Sequence, residues 1–182
     1  MLYATFPSTF DYFTIVWKEI DSNVQIQRLF LSDYKLKSRA KTLESFSQTK
    51  TGSSLVIDNL AKKIQLFFSG VEVKFDLELL DFSRCTEIQK KVLLAEYEIP
   101  RGWVSTYKRI ANQIGKTNGA RVVGNSLAKN PFPILIPCHR AIRSNGELGG
   151  FQGGLAMKRA LLELEGRTFT KKGKIIMERI FY

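Results

Sequence analysis

The chain has 182 residues, 44% of them hydrophobic and 25% charged, which suits one ordinary globular domain or two small ones and excludes a disordered or fibrous chain. Lys and Arg number 28 against 17 Asp and Glu, a formal charge of +11, so phosphate-bearing partners are the first to consider and anionic lipid the next. Two cysteines and one histidine are too few for a disulfide-stapled secreted scaffold or an ordinary zinc site.

The opening MLYATFPSTFDYFTIVWKEI alternates apolar and polar residues, with Asp11 interrupting it, unlike a secretory signal. No window reaches the roughly 18 apolar residues of a membrane helix. The expected compartment is cytoplasmic or nuclear, with no membrane partner. YFTIVWKE and VQIQRLFLSD, rich in β-branched and aromatic residues, read as strands. The polar run from Lys35 to Ser54 fits a helical turn and a loop. From Leu55 a helix is expected, with Leu60, Ile64, Phe67 and Phe68 on one face and Gly70 as its stop. VEVKFDL then alternates Val71, Val73, Phe75 and Leu77 as a half-buried strand. ELLDFSRC is the expected linker, dividing an N-terminal domain, 1–80, from a C-terminal one, 81–182. Beyond it Thr86 and Gln89 offer a capping box to a helix carrying Ile88, Val92 and Ala95.

VSTYKRIANQIGKTNGARVVGNSLAKN reads as two short helices about a tight turn. Ser105 caps the first, which runs to Ile114, GKTNG breaks it, and Ala120 to Ala128 make the second. Two readings fit this pattern, an αα-hairpin inside a core or a helix-turn-helix on a nucleic acid. The second helix is lined by Gly119, Ala120, Gly124, Ser126 and Ala128, small residues that let another backbone come close, and it carries Arg121 near its start. Lys108, Arg109, Lys116 and Lys129 surround the pair with positive charge, which is also the look of a solvated face.

PILIP reads as a buried strand ended by Pro137, which puts Cys138 where a strand runs out. A free thiol, with a reference pKa of about 8.5, is mostly protonated at neutral pH, so a nucleophilic cysteine needs a base or a cation. His139 is the candidate base. Adjacent side chains on an extended backbone point to opposite faces, so a turn or a bridging water has to bring the two together. The alternative is an inert buried cysteine. The helix GGLAMKRALLELEG sets Met157, Ala160, Leu161 and Leu164 as a core stripe and Glu165 in its last turn, where a carboxylate opposes the helix dipole. Glu165 is either the group that orients the imidazole or a tolerated surface acid. Between them GELGGFQGG arranges glycines around Phe151, either an aromatic wall with bare amides for a planar ring or an ordinary surface loop.

PCHR preceded by NPFPILI, the loop GGFQGG, the helix end LLELEG, and STYKRIANQIG with ARVVGNSLAKNP together resemble the O6-alkylguanine-DNA alkyltransferases, from about Arg84 to Gly166. Before that stretch the likeness is one of general pattern. The resemblance implies an α/β (α+β) fold with a ribonuclease-H-like N-terminal domain and a mainly helical C-terminal domain bearing a winged-helix-like helix-turn-helix. It implies a protein, monomeric in the absence of DNA, that binds double-stranded DNA containing O6-alkylguanine through the minor groove and rotates the lesion out of the stack. The alkyl group, or that of O4-alkylthymine, then moves irreversibly to the protein's own cysteine, once per molecule and with no cofactor or metal. Carried over, Cys138 is the acceptor, Arg121 fills the gap left by the flipped base, and Tyr107 assists flipping and hydrogen-bonds the guanine. His139 and Glu165 form a water-linked activating network, and Asn130 holds the neighbouring turn. Ala120, Gly124 and Ser126 face the DNA, while Pro133, Gly149, Phe151 and Gln152 shape the pocket.

The chain departs from that pattern in places. Gln152 stands where relatives often carry Ser or a small residue, and TEIQKKVLL lacks the aromatic residue and Trp of many relatives. Some members bind zinc in the N-terminal domain, where this chain lacks the ligands. The tail RTFTKKGKIIMERIFY extends past the matched region, either packing as a strand and helix or adding basic contacts. Two rival functions remain at this stage. One is a lesion-binding module, although in such proteins the acceptor cysteine is replaced. The other is a Cys-His hydrolase, which needs an oxyanion hole and turnover that PCHR does not supply.

Overall fold

The computed structural model describes residues 1–21 and 23–182. It is a mixed α/β protein made of two compact units, Met1–Arg84 with Pro131–Leu135, and Cys85–Asn130 with Ile136–Tyr182. The sequence places the domain boundary between residues 80 and 81, and the units part four residues later, after Arg84.

In the first unit β1 (Leu2–Ser8), β2 (Asp11–Ile20) and β3 (Asn23–Leu31) form an antiparallel meander, and the short β4 (Lys50–Thr51) adds parallel to β1, giving the order β3-β2-β1-β4. Asp11 and Asp21 take positive φ at the two turns, a conformation that Asp tolerates better than bulkier residues. Strand β2 is buried without interruption from Phe13 to Trp17, the mark of a strand covered on both faces. Phe13 meets Phe68 of α2 (Leu55–Phe68) on one face. On the other, Thr14 donates to Ser38 of α1 (Ser38–Ser45) at 3.0 Å, and Val16 clusters with Tyr3, Phe30 and Phe46. Helix α2 buries Ile57, Leu60, Ala61, Ile64, Phe67 and Phe68, as its spacing dictates, and ends at Gly70 with φ 91°.

Two expected strands are absent. Residues 71–76 are irregular and lead into a 3-10 turn, Leu77–Leu79. Val71 is exposed and Phe75 is buried against Phe67. Alternation describes which side chains face inward, but a strand also needs a neighbouring backbone to bond, and no named sheet here includes this segment. PILIP is likewise a turn, with Ile134 at φ 73° and Phe132, Ile134 and Leu135 buried. Pro131, Pro133 and Pro137 have no N–H for a ladder, and Leu29 N donates to Pro131 O at 2.8 Å instead.

The second unit holds α3 (Glu87–Tyr97), α4 (Tyr107–Gln113), α5 (Ala120–Ala128) and α6 (Gly154–Leu164), with a two-stranded parallel ladder of β5 (Ser105–Thr106) and β6 (Ala141–Ile142). Thr86 caps α3 by accepting from Gln89 N at 3.2 Å. The Gln89 side chain does not close the box; it donates to the Ser126 and Lys129 carbonyls at 3.3 and 3.1 Å and so serves the end of α5. The cap of α4 is Thr106, accepting from Arg109 N at 3.2 Å, not Ser105, whose hydroxyl donates to Phe181 O at 2.8 Å. The helix ends at Gln113, one residue short of the expected Ile114. The buried stripe of α6 is Met157, Lys158, Leu161 and Leu162, while Leu164 is exposed.

The tail packs onto this unit. Ile175 joins Val104, Ile142 and Leu162 in a cluster flanked by Phe169 and Ile180, and Phe181 N donates to Val104 O at 2.8 Å. It forms an irregular hairpin with isolated bridges, not a strand followed by a helix.

Candidate active site

Three elements of the second unit converge on Cys138. The chain leaves Ile136 in a 3-10 turn, Cys138–Arg140, closed by Cys138 N to Ile136 O and Arg140 N to Pro137 O, both 2.8 Å. The turn keeps Cys138 and His139 off an extended backbone. Asn130 Nδ2 donates to Ile136 O at 3.3 Å, and its amide also bonds the sulfur.

Glu165, the residue that ends α6, is the hub of the site. Its Oε1 meets His139 Nε2 at 3.0 Å and accepts from Arg140 Nη2 at 2.7 Å. Arg140 Nε donates to both carboxylate oxygens at 3.0 and 3.2 Å, and Arg140 Nη1 donates to Ile99 O at 2.6 Å, fastening the turn to the end of α3. A fork of this kind offsets the unfavourable end of the helix dipole. Burial raises the Glu165 pKa, but the His139 contact and the Arg140 guanidinium outweigh it and hold the carboxyl at about 2. Arg140 bonds both carboxylate oxygens, so the carboxylate keeps its guanidinium partner whatever the imidazole does. His139 is fully buried, and burial lowers its pKa against the pull of Glu165, leaving a neutral ring. That ring sits edge-on to Phe151, centroids 6.2 Å apart.

The thiol itself is 6% exposed, and burial pushes it up to about 12 while Asn130 draws it down and Glu96 adds to the rise. A resting thiol rather than a standing thiolate follows. Tyr107, first residue of α4, is likewise raised to about 12, by burial and then by the negative character of Glu96 and Cys138. It stays a hydrogen-bond donor across the whole useful pH range. Its hydroxyl lies against Gly149, where φ is +69° and any β-carbon would overlap the Tyr107 ring. Here glycine is required both by conformation and by space.

Of the residues expected at the site, the second unit brings together Cys138, His139, Glu165, Asn130 and Phe151, with Tyr107 on Gly149. Gln152 is half-buried beside Phe151. Pro133 is buried within the other unit's Pro131–Leu135 strip. On α5 Arg121 is exposed in the first turn, Ala120 is half-buried, and a β-carbon at Gly124 would meet open space. Ser126, expected to face a partner, is 8% exposed and turned inward.

Three charged residues at the site carry no signal in the sequence. Arg140, within PCHR, is the carboxylate's guanidinium partner. Lys158 is fully buried on α6, its Nζ donating to Ala141 O at 2.7 Å and Gly150 O at 3.3 Å, so it ties the reactive turn to the glycine loop. Burial lowers its pKa to about 8 against the raising influence of Cys138 and Glu96. Glu96 is fully buried in the last turn of α3; neither oxygen makes a full hydrogen bond, and burial drives its pKa to about 8 although Lys158, Arg140 and the Ala141 amide favour the ionised form. An isolated Lys in a stripe or an acid in a helix carries no local mark of burial, since both are ordinarily solvated. Among the described residues, no three His, Cys, Asp or Glu side chains gather as a metal site, and no helix is long and apolar enough to cross a membrane.

Residues 87–167 match the family model described as 6-O-methylguanine DNA methyltransferase, DNA binding domain. The chain is similar to a protein named Methylated-DNA--protein-cysteine methyltransferase from Methanothermobacter thermautotrophicus, 45% identical over 126 residues, 68% of this chain and 70% of that one. A protein of the same name from Mycolicibacterium paratuberculosis is 34% identical, covering 84% of this chain and 93% of its own. The crystal structure of Mycobacterium tuberculosis OGT in complex with DNA superposes with a TM-score of 0.73 at 32% identity, over 91% of this chain and 93% of that one. Similarity of this extent, on a fold whose PCHR turn is held by a buried Glu-Arg-His network, places the chain in the methylated-DNA--protein-cysteine methyltransferase family.

Proposed function

We propose that this protein repairs DNA by direct reversal, moving the alkyl group of O6-alkylguanine to Cys138 in a single, irreversible turnover. The observation that carries the reading is a buried thiol followed, in the same 3-10 turn, by an imidazole whose Nε2 meets the ionised carboxylate of Glu165 at the end of α6. Attack on an sp³ carbon calls for a soft nucleophile, and thiolate is one. The thiol proton leaves by way of His139, made a better acceptor by Glu165, with a water between sulfur and ring. The S–C bond forms as the O6–C bond breaks, and the base takes up a proton to become guanine. Tyr107, still protonated at working pH, donates a hydrogen bond to the base as charge develops on it. The product is a thioether, so the protein is consumed.

The finer assignments belong to the same proposal. Duplex DNA lies against the helix-turn-helix of α4 and α5 through its minor groove, and O4-alkylthymine is a further substrate. Arg121 occupies the space of the flipped base, a step whose unstacking costs a few kcal/mol. Ala120 and Gly124 lie along the DNA; Ser126 supports α5 from within. Asn130, Gly149, Phe151 and Gln152 shape the reactive turn and its pocket. We read residues 1–80 as a ribonuclease-H-like domain and 81–182 as the domain that binds and reacts, with a winged-helix-like arrangement, in a protein that is monomeric without DNA and works in the cytoplasm or nucleus.

The test is intact-mass measurement after mixing the protein with a duplex carrying one O6-methylguanine. One methyl increment, located on Cys138 and saturating at one per molecule, is the expected result. Lesion binding with no increment would make the protein a damage sensor, and multiple turnovers on an ester or peptide would make it a hydrolase.

A further inference from the structure

The segment beyond the matched region is built as a fixed hairpin. Phe169 bridges Ile175 in antiparallel fashion, Thr170 N donates to Lys174 O at 2.8 Å, and Gly173 N donates to Thr170 O at 2.9 Å. Lys174 N adds a bond to Thr170 Oγ1 at 3.2 Å, and Gly173 takes φ 75° at the apex. Ile175, 2% exposed, anchors the base of the hairpin in the core of the unit, and its N–H donates to Gly146 O at 2.9 Å, docking it on the turn Arg143–Glu147.

This apex carries Lys171, Lys172 and Lys174. The acids nearby are already matched, Glu147 by Arg143 at 2.8 Å and Glu163 by Arg159 at 2.9 Å. Among the described residues Lys171 and Lys172 have no acid within ion-pair range, and both are exposed. The turn that seats the hairpin also supplies Ser144, which with Lys108, Arg109 and Asn112 of α4 and Met177 of the tail lines a cleft of about 620 Å³. The turn on which the hairpin is docked, through Ile175 N to Gly146 O, thus also borders the cleft beside the cations of α4.

We propose that Lys171 and Lys172 form an additional contact with the phosphodiester backbone of duplex DNA, extending the face made by α4. The inference rests on the DNA-repair reading above. Unmatched ammonium groups on a surface neutralise phosphates and release the counterions condensed there. Because the hairpin is already ordered by its own hydrogen bonds and by Ile175, little backbone entropy is lost on binding. An anionic membrane is the less suitable partner, since the apex residues Thr170, Lys171, Lys172 and Gly173 offer no apolar side chain for insertion beneath the headgroups.

The experiment measures affinity of the full chain and of the double variant Lys171→Ala/Lys172→Ala for an undamaged duplex between about 50 and 200 mM salt. Two lost phosphate contacts lower the slope of log K against log salt by about 1.8, so the fall in affinity across that fourfold range shrinks by roughly tenfold. An unaltered slope in the variant overturns the hairpin contact while leaving the repair reading in place. Lysine acetylation of the unsubstituted chain gives a second readout: duplex should protect Lys171 and Lys172, and equal labelling with and without duplex overturns the proposal. Vesicles of anionic phospholipid that protect the two lysines where duplex does not would assign the surface to a membrane instead. If the unsubstituted chain shows no binding to duplex at any salt, the repair reading itself fails, and the hairpin contact with it.

Discussion

Replacing Glu165 by Gln tests the hub of the site. The carboxylate accepts three bonds from Arg140 and meets His139 at 3.0 Å, all in a region closed to water. Its pKa is held at about 2 against a reference of 4.5, a difference that corresponds to about 3 kcal/mol of stability at neutral pH. Because the folded-state value is depressed, that stability is fully present above the unfolded value and is lost as pH falls through about 2. Glu165→Gln removes it and leaves the Arg140 guanidinium buried without an anion, a class of change that costs roughly 3–5 kcal/mol. Urea unfolding should therefore show a loss of about 3 kcal/mol at pH 7 that narrows to about 1 kcal/mol at pH 3, where the unfolded chain already binds the proton that the native carboxylate still excludes. Reaction with free O6-benzylguanine should slow by at least about tenfold in protein confirmed to be folded, since His139 loses the group that supports its uptake of a proton. A loss below about 1 kcal/mol, or one that stays constant with pH, would refute the assignment of Glu165 as an ionised hub.

Gly149→Ala puts a methyl group onto the Tyr107 hydroxyl at a backbone φ of +69°; it should cost about 1–2 kcal/mol in unfolding experiments and slow alkyl transfer, and a variant with unchanged rate would remove Tyr107 from the reaction. Glu96→Gln replaces an acid whose pKa is raised to about 8. Such a group contributes stability below the unfolded value near 4.5 that is lost as pH rises through about 8, so the melting temperature of the variant relative to the native chain should climb between pH 5 and pH 8.5. A gap that does not change with pH would mean that Glu96 is ionised in the fold. Arg121→Ala should slow repair of duplex far more than reaction with free O6-benzylguanine, because flipping is needed only in the former; equal slowing in both assays would end its role as a wedge.

The elements with strong local signals were legible from the chain alone. Strands β2 and β3, the apolar face of α2 and its stop at Gly70, and the extent of α5 follow from periodicity and turn residues lying a few positions apart. Errors arose where a correct pattern had no partner. Residues 71–76 alternate as a strand should but belong to none of the named sheets, and the apolar run Phe132–Ile136 is buried as expected but bends at Ile134, where φ is 73°. Ser105 and Thr106 are equally good caps by type; the choice fell to Thr106 because Ser105 bonds Phe181, 76 positions away.

By itself the sequence determined the charge excess, the helix pair with its cations, and a cysteine and histidine set among prolines and glycines in the PCHR pattern. Those features depend on residue type and short spacing, which folding does not alter. Tertiary structure alone decided which charges meet. Glu165 reaches back 25 positions to Arg140, Lys158 crosses to carbonyls at Ala141 and Gly150, and Glu96 is closed off on α3. The states of these groups, an ionised carboxylate, a neutral imidazole and a protonated thiol, are set by desolvation and by the partner at hydrogen-bond range, quantities that exist only once α3, the reactive turn and α6 have packed together.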